Sequence, residues 1–183
     1  MTTLVGVQYE DKCVLAADSQ VTDPDGRIQK HYQMVKISQR GDLLIAGSGE
    51  VNPCDIAQHI WNPPKLTAAH KKDVYHVAIT KVVPSLRKCL KDNGYNFEEE
   101  RDKNTTEQRF HFLIAVGGEI FDISDDLSVT RSQDGLYAVG NGSAYALGAL
   151  HAGANAVEAL EIAEKLDAYT SGPFQVVKQE KVG

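Results

Sequence analysis

Apolar and polar positions alternate from the second residue onward. In "TTLVGVQY" (2–9) and "KCVLAAD" (12–18) the period is close to two, which predicts paired β-strands with "EDK" as the tight turn between them. "DPDG" (23–26) is a strong turn signal. "QMVKISQRGDLLIAGSG" (33–49) reads as a second hairpin turning at "QRGD". The period then lengthens. "NPCDIAQHIW" (52–61) predicts a short helix and "DVYHVAITKVVPSLRKCLKDNG" (73–94) a long one, ending near Gly94 and kinked at Pro84. The most polar stretch, "NFEEERDKNTTEQR" (96–109), predicts an exposed loop or helix-to-strand connection, since a charge run is usually a solvated face. Strands resume with "FHFLIAVGGEIFDIS" (110–124) and "SVTRSQDGLYAVG" (128–140). "GNGSAYALGALHAGA" (140–154) and "NAVEALEIAEKLDAY" (155–169) read as Ala-rich helices, and "PFQVVKQE" (173–180) as a last strand.

Strands therefore come in hairpins instead of alternating singly with helices. That order predicts an α+β protein whose sheets are antiparallel and covered on their outer faces by helices. The helix "SAYALGALHAGA" has small residues on nearly every side, so it must pack closely against a sheet or a neighbouring subunit. With 183 residues and no internal repeat or linker, 1–183 reads as a single domain large enough for a layered core.

Charge and composition narrow the function. A net charge of -6 argues against nucleic acid as a main ligand, because phosphate binding needs a basic face. No apolar run approaches the roughly 20 residues of a membrane span, and the opening lacks the basic start and apolar stretch of a signal peptide. The expected location is cytoplasmic, with no membrane partner. Cys13, Cys54 and Cys89 are odd in number and widely spaced, which excludes a zinc-finger pattern and a complete disulfide framework and predicts buried reduced thiols. The six histidines never form HxH or HExxH, so no metal site is supported.

The candidate chemistry sits at the front of the chain. A threonine hydroxyl is a poor nucleophile until a base takes its proton. If Thr2 is the first residue, its own α-amine serves, because that group titrates near about 7.7–8.0 and is partly neutral at cellular pH. Nucleophile and base then occupy one residue, on condition that Met1 is removed. A small residue after Met is common, so Thr2 alone carries little weight.

The surrounding sequence carries more. Residues 2–22, "TTLVGVQYEDKCVLAADSQVT", resemble the opening of proteasome β-subunits and of the bacterial HslV peptidase: a Thr-Thr strand, a short turn, a second strand ending in an acid, and a Thr soon after. "LLIAGSGE" (43–50) resembles the family's "IAG" strand, "YAVGNGSAYALGAL" (137–150) its Gly-Ser-Gly turn into an Ala-rich helix, and "LDAYTSGPF" (166–174) the loop with a second acid near the nucleophile. The resemblance implies the N-terminal nucleophile (Ntn) hydrolase fold, a four-layer α-β-β-α sandwich of two antiparallel sheets flanked by helices. It implies Thr2 as nucleophile and general base, Asp18 as the acid that orders the site, and the Gly47 N–H as oxyanion donor. Thr22 and Gly49 would align a substrate backbone as an added strand. Ile45 would line the first specificity pocket and favour an apolar residue.

The pattern departs from the family at two positions. Counted back from "IAG", the catalytic lysine's place falls on Gln33; counted forward from Thr2 it falls on Met34, and neither is a cation. Lys36 is the nearest substitute, but on a regular strand residues 33 and 36 face opposite ways, which reads Lys36 as a surface lysine. A bulge at Lys36, or Lys30 reaching in from the loop, are the alternatives. Asn141 stands where the family has a serine contacting the N-terminal amine; it can hydrogen-bond but cannot relay a proton, and either Asn141 or Ser143 would serve as a helix N-cap.

Three functions follow. The first is a proteasome/HslV-like threonine peptidase without cofactor, acting on unfolded polypeptide inside homo-oligomeric rings fed by an ATP-dependent unfoldase. A start at Thr2 with no propeptide, and a chain this short, would be closer to what the resemblance implies for HslV than for eukaryotic β-subunits. The second is an inert relative that keeps the self-assembling shell as a structural or adaptor particle, motivated by Gln33 and Asn141. The third is a small-amide hydrolase on the same fold.

Overall fold

The first hairpin forms where the alternation predicts it. Strand β1 (Thr3–Gln8) pairs antiparallel with β2 (Lys12–Ala17), Leu4 opposite Ala17 and Gln8 opposite Cys13. The computed structural model describes residues 2–22, 25–30, 35–97 and 109–181. Gln20–Thr22 (β3) and Ile28–Lys30 (β4) form a small antiparallel ribbon that the sequence pattern does not announce. The second hairpin is shorter than expected: β5 (Ile37–Arg40) turns through Gly41 and Asp42 into β6 (Leu43–Gly49).

Two antiparallel sheets result. One has the order β10-β1-β2-β11, with β10 (Leu136–Gly140) and β11 (Gln175–Glu180) on its edges. The other runs β5-β6-β7-β8-β9, with β7 (Phe110–Val116), β8 (Glu119–Ile123) and the short β9 (Val129–Thr130). Period-two alternation sorts their side chains into separate layers. Leu4, Leu15, Leu44, Ala46, Leu113 and Ile120 meet between the sheets. The opposite phase of the first sheet, Val5, Val7, Val14 and Ala16, packs on α4 (Ser143–His151) and α5 (Ala156–Leu166) through Ala146, Ala149, Ala159 and Leu160. The outer face of the second sheet packs Leu43, Ile45, Phe110 and Phe112 on the remaining helices. These are α1 (Val51–Asp55), continued by a wide turn over Ile56–Ile60, then α2 (Val74–Val77) and α3 (Val83–Asp92). Helix, sheet, sheet, helix is the order of layers.

Pro84 does not end its helix. It lies in the first turn of α3, where the preceding segment Ala78–Val82 is wound as a π-turn and Val83 N–H reaches Ala78 O, so the missing Pro84 N–H falls where the ladder has already widened. The cap expected at the start of α4 is corrected: Gly142 holds that position, and no side chain among the described residues caps it. The next helix is capped instead. Asn155 accepts from Val157 and Glu158 N–H while Glu158 reaches back to the Asn155 N–H, a reciprocal capping box.

Candidate active site

Thr2 enters β1 at the end of the sandwich and is 8% exposed. Its carbonyl accepts from Asn141 N–H at 3.0 Å, so the start of β1 is tied to the end of β10. Gly140, at φ +93°, makes this approach possible: a Cβ there would lie 1.8 Å from Thr2 O. Thr3, completely buried, is held from three sides. Its N–H donates to Asp18 Oδ1 at 2.8 Å, its hydroxyl meets Thr170 Oγ1 at 2.6 Å, and Gly142 N–H donates to that hydroxyl at 2.9 Å. Thr170 in turn donates to Asp167 Oδ2 at 2.5 Å.

Asp18 gathers the other half of the site. Beside the Thr3 N–H it accepts from Gln20 N–H at 3.0 Å and from Lys36 Nζ at 2.7 Å. Lys36 is therefore not a surface residue. It is 4% exposed, and its ammonium also donates to Gln20 O at 2.7 Å. The facing argument fails because β5 begins only at Ile37, after a bend at Lys36, so strand parity does not extend back to residue 33. The Lys36 backbone is fastened as well. Its N–H donates to Gln175 Oε1 at 3.1 Å, and its carbonyl accepts from Gly47 N–H and Gln58 Nε2, each at 3.2 Å. Burial pushes the Lys36 pKa below its ordinary 10.5, while the Asp18 carboxylate pulls the other way. Gln33 and Met34 lie outside the described residues.

Thr2, Lys36, Thr22, Gly47 and Gly49 line one cleft of about 60 Å³, closed on the helix side by Cys54 and Gln58. Burial pushes the Cys54 thiol up to about 12, so it is a neutral wall and not a second nucleophile. A larger depression of about 520 Å³ lies beyond α3 between Arg87, Lys91, Tyr95 and Asp125, but the described residues that line it include no Ser, Thr or Cys. Chemistry selects the smaller cleft.

Three sequence-derived assignments need correction. Gly47 N–H is committed to Lys36 O, which turns it away from a substrate. Glu50 N–H bonds Arg109 O across β7, so the alternating N–H of Gly49 points the other way, past the end of β5 and toward the cleft. Gly49 is also fixed as glycine, since at φ +104° a Cβ would lie 2.2 Å from Arg109 O. Ile45 is fully buried on the outer face of its sheet, among the core around α1, and does not line the cleft. Asn141 exposes its side chain and engages Thr2 through its backbone N–H. Thr22 does border the cleft, its hydroxyl accepting from Gln20 Nε2 at 3.1 Å.

No protein-family model and no curated protein sequence matches the chain. Solved structures do. BPH from Thiobacillus denitrificans in complex with epoxomicin aligns with a TM-score of 0.74 at 24% identity, over 99% of this chain and 100% of that one. A second structure of that BPH gives 0.73 and 25%, over 98% of both chains. The fold is that of an Ntn hydrolase. The eukaryotic HslV from Trypanosoma brucei shares the Ntn-hydrolase sandwich more distantly, with a TM-score of 0.63 at 18% identity over 97% of this chain and 99% of that one. Among the described residues no helix is long and apolar enough to cross a membrane.

Sequence reasoning missed Gln58, Gln175 and Thr170, while Asp167 is the acid expected in the loop 166–174 and reaches the site through Thr170. Their contacts join segments up to 167 residues apart, as between Thr3 and Thr170, and no local pattern announces such pairs. Of the three, only Thr170 had a local signal, in "LDAYTSGPF", three positions after that acid.

Proposed function

We propose that this chain is a threonine-type peptidase of the Ntn-hydrolase kind, with Thr2 as nucleophile once Met1 is removed. The observation that carries the reading is the buried Lys36–Asp18 pair: the carboxylate that binds the Lys36 ammonium at 2.7 Å also holds the backbone of the residue next to Thr2. A cation is thereby kept in the cleft wall, a role that the side chains of Gln33 and Met34 could not supply.

The chemistry runs on one residue and its surroundings. The neutral α-amine of Thr2 takes the proton from Thr2 Oγ, which attacks the substrate carbonyl. Lys36 favours the developing alkoxide by its charge, which counts for more in a water-poor cleft. Charge building on the carbonyl oxygen is met by the Gly49 N–H, a donor type whose removal typically costs about 10²–10³ in rate. The ammonium returns its proton to the leaving amine, and water, deprotonated by the same amine, frees the acyl group. Thr22 and Gly49 offer backbone for an added substrate strand. Unfolded polypeptide as substrate, homo-oligomeric rings and an ATP-dependent unfoldase partner belong to the same reading. The outward Tyr145, 44% exposed on the small-residue helix α4, supports a subunit contact.

An inert shell is the second reading, favoured by the exposed side chain of Asn141, which leaves the turn without a hydroxyl. Intact mass of purified protein, with and without epoxomicin, separates the two. The peptidase loses Met1 and gains one inhibitor adduct, and Thr2→Ala gains none. A chain that keeps Met1 or takes up no adduct refutes the peptidase.

A further inference from the structure

The last strand reaches the site from across the sandwich. Gln175, Val177 and Gln179 share one face of β11, and Val177 packs into the layer between the sheets. The two glutamines therefore face the five-stranded sheet, and each directs its amide to that sheet's backbone. Gln179 lies at the far end of β5, where its Oε1 accepts from Gly118 N–H at 2.8 Å and its Nε2 donates to Asp42 O at 2.9 Å. Gln175 lies at the Lys36 end. Its Oε1 accepts from Lys36 N–H at 3.1 Å and from Ile37 N–H at 3.0 Å, and its Nε2 donates to Ile37 O at 3.1 Å.

Two of these bonds are those a neighbouring strand would make. β5 is an edge of its sheet, and the Gln175 amide exchanges N–H···O bonds with Ile37 as a paired residue does. The third is different. Successive N–H groups of a strand point to opposite sides, but those of Lys36 and Ile37 converge on one oxygen, which requires the bend at Lys36. Two donors facing Oε1 and an acceptor facing Nε2 also allow the amide one orientation only. Gly47 and Gln58 hold the carbonyl of Lys36, which leaves its N–H to Gln175. The Gln175 main chain completes the link, because it stands opposite Ala17, the neighbour of Asp18, in the β2–β11 ladder. One residue thus holds both the strand that leads into the carboxylate and the backbone that carries the ammonium.

We propose that Gln175 is a positioning residue: its side-chain oxygen bends the chain at Lys36 and so turns the ammonium off the parity of β5 and onto Asp18. The catalytic consequence rests on the reading of Thr2 as nucleophile beside Lys36; the placement of Lys36 does not. Without that oxygen the two N–H groups lose their common acceptor, and β5 extends backward as regular strand. Residue 36 then takes the face its parity dictates, opposite to Ile37 and the inter-sheet layer that Ile37 joins.

The test sets the two glutamines against each other. Gln175→Ala and Gln179→Ala each delete an amide from the same seam, and their Tm values should differ by no more than about 4 °C, the effect of one additional hydrogen bond. The rate of epoxomicin adduct formation, read by intact mass well below either Tm, separates them. Gln175→Ala should slow it by about 10–10²-fold, the range for a misplacement of up to about 1 Å. Gln179→Ala should keep the parent rate. Gln175→Glu, which retains an oxygen for both N–H groups, should react faster than Gln175→Ala. Equal slowing in the two alanine variants, or Gln175→Glu no faster than Gln175→Ala, overturns the proposal. If Gln175→Ala does not fold, Gln175→Asn decides: the amide is kept but drawn back by one methylene, so a slowed adduct supports the role and the parent rate overturns it.

A second readout needs no catalysis. In protein carrying ¹³C-labelled lysine, the Lys36 signal is the one missing from Lys36→Met, and burial sets its titration below the ordinary 10.5. Gln175→Ala should move that titration up to the ordinary value as the ammonium reaches water, and Gln179→Ala should leave it in place. A parent chain that takes up no epoxomicin therefore refutes only the nucleophile, whereas a Lys36 titration unmoved by Gln175→Ala refutes only the positioning role.

Discussion

Replacing Lys36 by methionine removes a charge from the most enclosed ion pair among the described residues while nearly keeping the length of the side chain. Lys36 is 4% and Asp18 1% exposed, so neither partner can turn to water when the other is lost. Removing one member of such a pair typically costs about 3–5 kcal/mol, because the remaining charge is stranded. Asp18 retains the N–H groups of Thr3 and Gln20, which places Lys36→Met near the lower end, about 3 kcal/mol. In a chain of this size each kcal/mol moves Tm by about 2–4 °C, so the expected fall is about 6–12 °C.

Asp18→Asn should behave differently with pH. Burial already depresses the Lys36 pKa below 10.5, and deleting the carboxylate removes the main opposing influence. Between the lowered folded value and the unfolded one, the unfolded chain binds more protons, so stability rises with pH across that window. The Asp18→Asn loss should therefore shrink from pH 7 toward pH 10, whereas the Lys36→Met loss should not. The double variant should cost less than the two singles together, since no lone charge remains. Thermal melts at fixed protein concentration, at both pH values, measure all of this. Single variants within about 1 kcal/mol of the parent, or strictly additive losses, would refute the buried pair and with it the argument for Lys36 in the cleft.

Other parts of the structure give sharper, smaller tests. Gly140→Ala places a methyl 1.8 Å from Thr2 O at φ +93°, and should cost more than about 3 kcal/mol, read as lost soluble protein or a Tm drop beyond about 6 °C. Asn155→Ala removes the capping box of α5 and should cost about 1 kcal/mol in a melt, with the rate of epoxomicin adduct formation unchanged. Burial pushes Cys54 up to about 12 and Cys13 to about 11, so iodoacetamide at pH 8 should alkylate Cys89 first; early modification of Cys54, located by peptide mapping, contradicts its place in the cleft wall.

How far the sequence reaches depends on the range of the interaction that decides each residue. The layers are legible because alternation is local: the same two-residue period that marks Leu4 and Val5 as strand residues also sends them to different cores. Asp18 is legible for a similar reason, since its distance from Thr2 is set by one hairpin whose turn cannot vary much. Lys36 is not. Its distance from Thr2 depends on the β3–β4 ribbon and the connection after it, and its distance from Gly47 depends on the length of the β5–β6 turn. Counting from either end therefore lands on Gln33 or Met34, short of the cation that Asp18 binds. Gly47 and Ile45 are misassigned by the same slip in reverse. The motif "IAG" suggests the functional register, but the ladder commits Gly47 N–H to Lys36 O and moves the outward N–H two residues on, to Gly49. A shift of two preserves the face of the strand, which is why Gly47 and Gly49 both border the cleft while Ser48 between them points to the opposite layer. A motif thus fixes which face of a strand is functional more securely than which residue on that face carries the function. That residue is decided by where the neighbouring strand stops, here at Ile37, and a partner strand's end is a long-range fact.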